Sequence, residues 1–389
     1  MPGPTLRHWL TRSLLSLAIL LCSLWGGLAL YYRLPLEASL KTVVLIVLAL
    51  AVLAALASLW RNGWRGLAGF VLGFAILQFW WHSLAPSNER DWADDVMYMA
   101  QGRIENDIVT LPHVRNFDWR SDEDYTPRWE NRRYDLGKLA SVDLITSYWG
   151  MSAIAHVLVS FGFETGEFVT FSVEIRKERH ERYSEIGGFF KEFELSIIAA
   201  DERDVVRVRS NVRGEDEYLY RVDMPRDVMR SLFLSYVEQA NELVRKPRFY
   251  HTVTANCTTL VFGMMQHIVG GLPLDYRLLL SGYLPEYVHS LDGFTPGFGL
   301  EQLRERGRFT DRALASDASE DFSRAIRRGV PGWESLGQDL DRLENAVADH
   351  TQHAQGADPE QRDAARRVAP READAQQQHA QADDSQSDP

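Results

Sequence analysis

Cys257 is the residue around which covalent chemistry could be built. It stands in Asn256-Cys257-Thr258-Thr259, directly before Leu260, Val261, Met264, Met265 and Ile268, which recur at helical spacing until Gly270 and Gly271 close the run. The thiol is therefore expected at a helix N-terminus. There, unpaired backbone N–H groups and the macrodipole lower a thiol's pKa, and the same N–H groups can bind a developing oxyanion. A lone cysteine is usually a small buried hydrophobe. What sets this one apart is its position and its polar neighbours, which make Asn256 and Thr258 candidates for shaping the site and its oxyanion hole.

A nucleophilic cysteine needs a base. His267 is ten residues along the same helix, roughly 15 Å away by the helical rise, and is excluded. His251 lies six residues upstream in a short connecting strand and could reach. His156 has the better setting, in the apolar, partly β-branched run of residues 153–161, which suits a buried strand. The next strand, 168–176, alternates Phe171, Val173 and Ile175 with Ser172, Glu174 and Arg176, so its polar face offers Ser172 or Glu174 to orient an imidazole. A satisfied core histidine is the plainer alternative for His156.

Further strands are expected at 193–199, 204–209 and 217–222. Asp223 to Arg245 reads as a helix, with Asp223 as cap, Pro225 in the first turn, Val228, Leu232, Tyr236, Ala240 and Val244 repeating every four residues, and Pro247 as its stop. Strands and helices together make this an α+β domain.

Before that domain come three apolar runs, about 14–32, 42–59 and 67–84, each near the length a helix needs to cross a bilayer and each free of Asp, Glu, Lys and Arg. Residues 1–85 are expected to be a membrane region of three transmembrane helices. Cys22 does not fit a lipid-attachment site, because Leu21 precedes it where a small residue is needed, so it is expected to face lipid or pack between helices. Basic residues are spread almost evenly over the flanks, and parity decides the orientation instead: with Arg7 and Arg12 inside, three crossings carry everything after Leu84 outside and set Phe79, Trp80 and Trp81 at the outer interface.

Residues 88–345 then form the folded domain. Residues 346–389 are poor in large apolar side chains and are expected to be disordered, with His350, His353 and His379 solvated there and not bound to metal. The 389 residues carry 42 Lys plus Arg against 54 Asp plus Glu, a net charge of −12, which argues against a nucleic-acid partner. No cofactor and no metal site is implied.

The string Asn256-Cys257-Thr258-Thr259, the His156 strand ending Ser160-Phe161-Gly162-Phe163, the strand Ser172-Val173-Glu174-Ile175-Arg176 and the run Ala200-Asp201-Glu202-Arg203-Asp204-Val205 occur in this order. Together they resemble the family of the N-terminal periplasmic domain of the lipoprotein N-acyltransferase Lnb, as do Arg115-Asn116-Phe117 and Tyr148-Trp149. The resemblance covers about residues 90–290. It implies a circularly permuted papain-like thiol-enzyme domain, an antiparallel sheet plus helices, with Cys257 as nucleophile and His156 as base. The histidine precedes the cysteine, the reverse of papain order. Of the two orienting candidates Glu174 is placed ahead of Ser172 only because a carboxylate better holds an imidazolium.

The membrane helices here precede the domain, whereas the acyltransferase that names the family resembles a periplasmic domain followed by spans. The resemblance thus supports the thiol chemistry more strongly than one substrate. The expected activity is an acyl transfer through an acyl-cysteine, at the outer face of a bacterial inner membrane. A membrane phospholipid is the expected donor and the N-terminus of a lipoprotein the candidate acceptor. A cysteine peptidase or amidase acting on peptide or cell-wall amides, and an inactive membrane scaffold, are the alternatives.

Overall fold

The computed structural model describes residues 6–61 and 63–334. The three apolar runs form helices α1 (Leu6–Arg33), α2 (Ala38–Trp60) and α3 (Trp64–Ser83), each long and apolar enough to cross a membrane. Their short connections make neighbours antiparallel. Trp9, early in α1, therefore meets Trp60 at the end of α2, with ring centroids 4.9 Å apart. At the opposite end Tyr32, Trp80 and Trp81 gather. Aromatic side chains thus mark both ends of the bundle, as they do at the two faces of a bilayer. Gly26 allows a close approach, since a Cβ there would stand 2.7 Å from Leu77 Cδ2. Leu14, Leu50, Ile76 and Phe79 point outward and exposed, an apolar surface suited to lipid. Cys22 is half-buried and lines a groove between the helices.

The chain after Pro86 folds around one mixed sheet. Its strands are β1 (Arg103–Glu105), β2 (Ile108–Arg115), β5 (Trp129–Asp135), β6 (Leu139–Tyr148), β7 (Ala155–Phe163), β8 (Phe168–Arg176), β9 (Glu194–Ala200) and β10 (Asp216–Arg221), with a small ribbon, β3 (Asp118–Trp119) and β4 (Tyr125–Thr126), beside it. The order is β1-β2-β9-β8-β7-β6-β10, and β5 pairs with β2. Every pairing is antiparallel except β2 with β9.

Alternation sends Val157, Val159, Phe161, Phe171 and Val173 into the main core, where Phe233 and Tyr236 of α5 (Arg226–Arg245) pack on them. The opposite face is also covered and carries buried ion pairs. Arg327, wholly buried, bonds Asp143, Glu202 and Ser160. The described chain forms a compact unit to Gly332. The expected boundary at 345 and the tail 346–389, with its three histidines, lie outside the described residues.

Two expectations are corrected. Residues 204–209 are not a strand. Asp201 caps a short helix, α4 (Glu202–Val205), and one π-helical turn follows over Val208–Val212. Asp204 is buried there, accepting hydrogen bonds from Arg115, the Phe117 N–H and Trp119. The cap of α5 is also two residues later than expected: Pro225 is the N-cap, and Asp223 instead donates its N–H to the Gly293 carbonyl.

Candidate active site

Helix α6 (Cys257–Val269) opens on the cysteine. Its N-cap is Asn256, whose Oδ1 accepts from the Thr258 N–H at 3.0 Å and the Thr259 N–H at 2.8 Å, while Thr259 Oγ1 accepts from the Asn256 N–H. This reciprocal cap fixes where the helix begins and hence where the thiol stands. The Asn256 amide is spent on the cap, since its Nδ2 donates to the Thr252 carbonyl at 2.6 Å. With the Thr258 and Thr259 N–H groups occupied, the N–H of Cys257 itself is the first-turn donor left for an oxyanion.

His156 comes from the start of β7, and Ser172 and Glu174 from β8, which pairs antiparallel with it. His156 Nε2 lies 2.7 Å from Ser172 Oγ and 3.3 Å from Glu174 Oε1, and Ser172 Oγ donates to Glu174 Oε1 at 2.6 Å. The hydroxyl thus sits between ring and carboxylate, nearer the ring than Glu174 is. With Nε2 so engaged, Nδ1 is the ring atom free to exchange a proton with Cys257. Arg209, from the π-helical turn, donates to the same Glu174 oxygen at 2.9 Å.

The electrostatics follow from this chain of contacts. Burial and the Arg209 charge press the His156 pKa down, but the Glu174 charge, with hydrogen bonds from the ring to the Cys257 and Glu174 side chains, outweighs them and raises it to about 9. Burial pushes the Cys257 thiol up, yet its hydrogen bond to His156 and the imidazolium charge leave it below its ordinary value. Glu174, despite burial, is held well below the usual carboxylate range by His156 and Arg209. Each group therefore favours its charged form, and the arrangement suits a thiolate–imidazolium pair.

The pair lines a cavity of about 510 Å³. One wall is Tyr183, Glu185 and Phe189, another Tyr250 and Thr252, and a third Leu279 and Ser281. Burial raises the Tyr183 hydroxyl to about 12, helped by the charges of Glu185, Cys257 and Glu174, so it remains a proton donor. Ser281 Oγ accepts from the Ala155 N–H, and Tyr148 donates to the Gly282 carbonyl at 2.7 Å. Only glycine fits at 282, because a Cβ there would fall 2.0 Å from the Ser152 carbonyl oxygen.

The structure therefore brings Cys257, His156, Ser172 and Glu174 together, with Asn256 behind the thiol as its cap. Thr258 is buried and faces away from this cavity into a second one. His251 stays out, its Nδ1 accepting from the Val253 and Thr254 N–H groups and its ring against Phe189. Arg209 and Tyr183 were not foreseen. Arg209 was hidden in a segment read as a strand, and Tyr183 lies in a charged turn with no periodicity to flag it. Among the described residues, no group of three or more His, Cys, Asp or Glu side chains is arranged to hold a metal ion.

No curated protein and no solved structure matches the chain. Residues 125–282, the segment that carries Cys257, His156, Ser172, Glu174 and Arg209, match the family model of the Lnb N-terminal periplasmic domain, which together with the three apolar helices ahead of it supports a membrane protein with a periplasmic domain.

Proposed function

We propose that the chain is a membrane-anchored thiol acyltransferase, its domain a circularly permuted papain-like one held at the outer face of the inner membrane by a multi-pass bundle. One observation carries the reading: the Cys257–His156 pair shares its cavity with Tyr183, Glu185 and Phe189, and the adjoining Phe190 is seated on Trp25, Tyr32 and Trp81 of the apolar helices. A nucleophile so tethered works beside phospholipid esters. The permuted fold is supported by the chain order, in which the histidine strand precedes the nucleophile helix.

In the first half-reaction the Cys257 thiolate attacks the ester carbonyl of a phospholipid, and the Cys257 N–H stabilises the oxyanion. As the C–O bond breaks, His156 gives its Nδ1 proton to the departing lysophospholipid oxygen, leaving a thioester on Cys257. In the second, an amine such as the N-terminal cysteine amine of a lipoprotein attacks that thioester. His156 takes up the amine proton, the C–N bond forms, the C–S bond breaks and the thiolate returns. Ser172 and Glu174 hold the ring in the tautomer these transfers need, and Arg209 holds Glu174 ionised.

The test is to incubate the full chain with phospholipid alone and weigh the Cys257 peptide. An acyl-Cys257 adduct is expected, slowly hydrolysed, discharged within seconds to minutes by a lipopeptide bearing an N-terminal cysteine, and lacking in Cys257→Ser and His156→Ala. Rapid release of free fatty acid indifferent to the lipopeptide points to a lipase. Cleavage of a peptide bond without lipid establishes the peptidase or amidase instead, and an inert thiol leaves only a scaffold.

A further inference from the structure

A second cavity, about 400 Å³, lies on the other side of the first turn of α6. Its walls are Val142 and Val159 of the sheet, Leu232 of α5, Val261 and Met265 of α6, and Leu284 of the short helix that follows (Leu284–His289). Thr258 lines it while Cys257, one residue earlier, lines the catalytic cavity. The same alternation recurs at Leu278 and Leu279, of which the first faces the apolar cavity and the second the catalytic one. The two spaces thus share a wall built from two pairs of consecutive residues, one pair containing the nucleophile.

Protein interiors are close-packed, so an apolar void of this size beside a reactive thiol calls for an occupant. Among the residues lining it the charged ones are Asp223 and Asp292, at an exposed edge, and none is cationic. Such a rim repels phosphate and carboxylate, while the walls suit a neutral hydrocarbon chain. The surface beside it is also apolar, since Val269, Leu274 and Leu279 are more than half exposed.

We propose that this cavity receives the acyl chain of the donor while its carbonyl carbon is bonded to Cys257 Sγ. The proposal rests on the acyl-transfer reading above and gives it a chain-binding site. Burying each methylene there favours binding by about 0.8 kcal/mol, so the cavity selects for chain length.

The full chain is mixed with phosphatidylcholine vesicles carrying a diazirine at the ω end of an acyl chain, irradiated and digested. Label is expected on the peptides containing Val261, Met265 or Leu284, in molecules that also carry acyl-Cys257. Acyl-Cys257 with label confined to residues 6–83 overturns the cavity and leaves the transfer reading intact. If no acyl-Cys257 forms, the transfer reading fails, and the same probe on Cys257→Ser decides the cavity alone: label inside keeps it as an acyl site, none removes it. As a second arm, Met265→Trp fills the space, and the ratio of palmitoyl to butyryl transfer onto Cys257 should fall about tenfold or more. An unchanged ratio in a protein that melts cooperatively overturns the proposal.

Discussion

At the scale of single residues the site is a balance of charges in a largely desolvated place. Burial alone would neutralise His156 and Glu174, and the contacts reverse this: the ring is raised to about 9 and the carboxyl held low. Each pKa unit is worth about 1.4 kcal/mol of preference for one protonation state. The raised His156 pKa stabilises the fold fully below about 6.5, its unfolded value, and that contribution is lost as pH climbs through about 9. The depressed Glu174 contributes above its unfolded value of 4.5 and ceases to as pH falls through its lower folded value. Glu174→Gln removes the charge that favours the imidazolium. The His156 pKa should then fall, and with it the charge that lowers the thiol. The pH range of the ion pair should narrow from both sides. Alkylation of Cys257 by iodoacetamide should need higher pH than in wild type, while the alkaline limit of acyl transfer should move down from near 9. A profile identical to wild type at both limits removes Glu174 from the site's electrostatics.

At the scale of elements, the sequence was readable where one periodicity held. The strands carrying His156 and Glu174, the helix 226–245 and the helix begun by Cys257 all follow apolar repeats. The strands β2, β5 and β6 do not. Arg132 and Arg133 interrupt β5, and β6 is buried on both faces with Ser141, Asp143, Thr146 and Ser147 inside, so neither alternates cleanly. The segment 204–209 misleads in the other direction, because its valines suggest a strand while the Asp201 cap and the long-range bonds of Asp204 impose helical turns. Of the candidate site, the places of Cys257 at a helix start and of His156 in a strand were legible, and Arg209 was not, since nothing local reveals a partner 35 residues away.

That π-helical turn also packs against a costly neighbour. Glu217 in β10 is fully buried, and neither carboxyl oxygen finds a hydrogen-bond partner among the described residues. Burial lifts its pKa well above the ordinary value, against the pull of Arg209. The folded chain thus holds a proton that the unfolded chain releases near pH 4.5, and stability falls as pH rises above that. Glu217→Gln should raise the melting temperature at pH 7 and leave it unchanged near pH 4. A lower melting temperature at pH 7 would mean that the ionised carboxylate is needed.

At the scale of the whole molecule, the question is how the folded domain is kept in one attitude toward the three apolar helices. A flexible tether after Leu84 would leave the cavity free to turn away from lipid. Instead, the segment that walls the cavity continues into the bundle. Phe190 is buried between Trp25, Tyr32 and Trp81, with its ring stacked on Tyr32 at 5.8 Å. Lys191 donates to the Trp81 carbonyl at 2.8 Å, and Arg33 donates to the Glu192 carbonyl. The contact is aromatic at its centre and hydrogen-bonded at its rim, the anatomy of a specific interface. Phe190→Asp puts a carboxylate among these rings, where it has no room to be solvated, and should undock the segment without touching the pair of charges in the cavity. Two readouts separate this from misfolding. Iodoacetamide should still alkylate Cys257 at the wild-type rate, showing the domain intact, whereas the stretch 84–88 should become open to protease and acylation of Cys257 from bilayer phospholipid should fall about tenfold or more, through loss of the orientation that brings ester and thiol together. If acylation from vesicles persists at the wild-type rate while protease cuts freely, the helices serve only to keep the domain near the membrane, and the docked attitude is not part of catalysis.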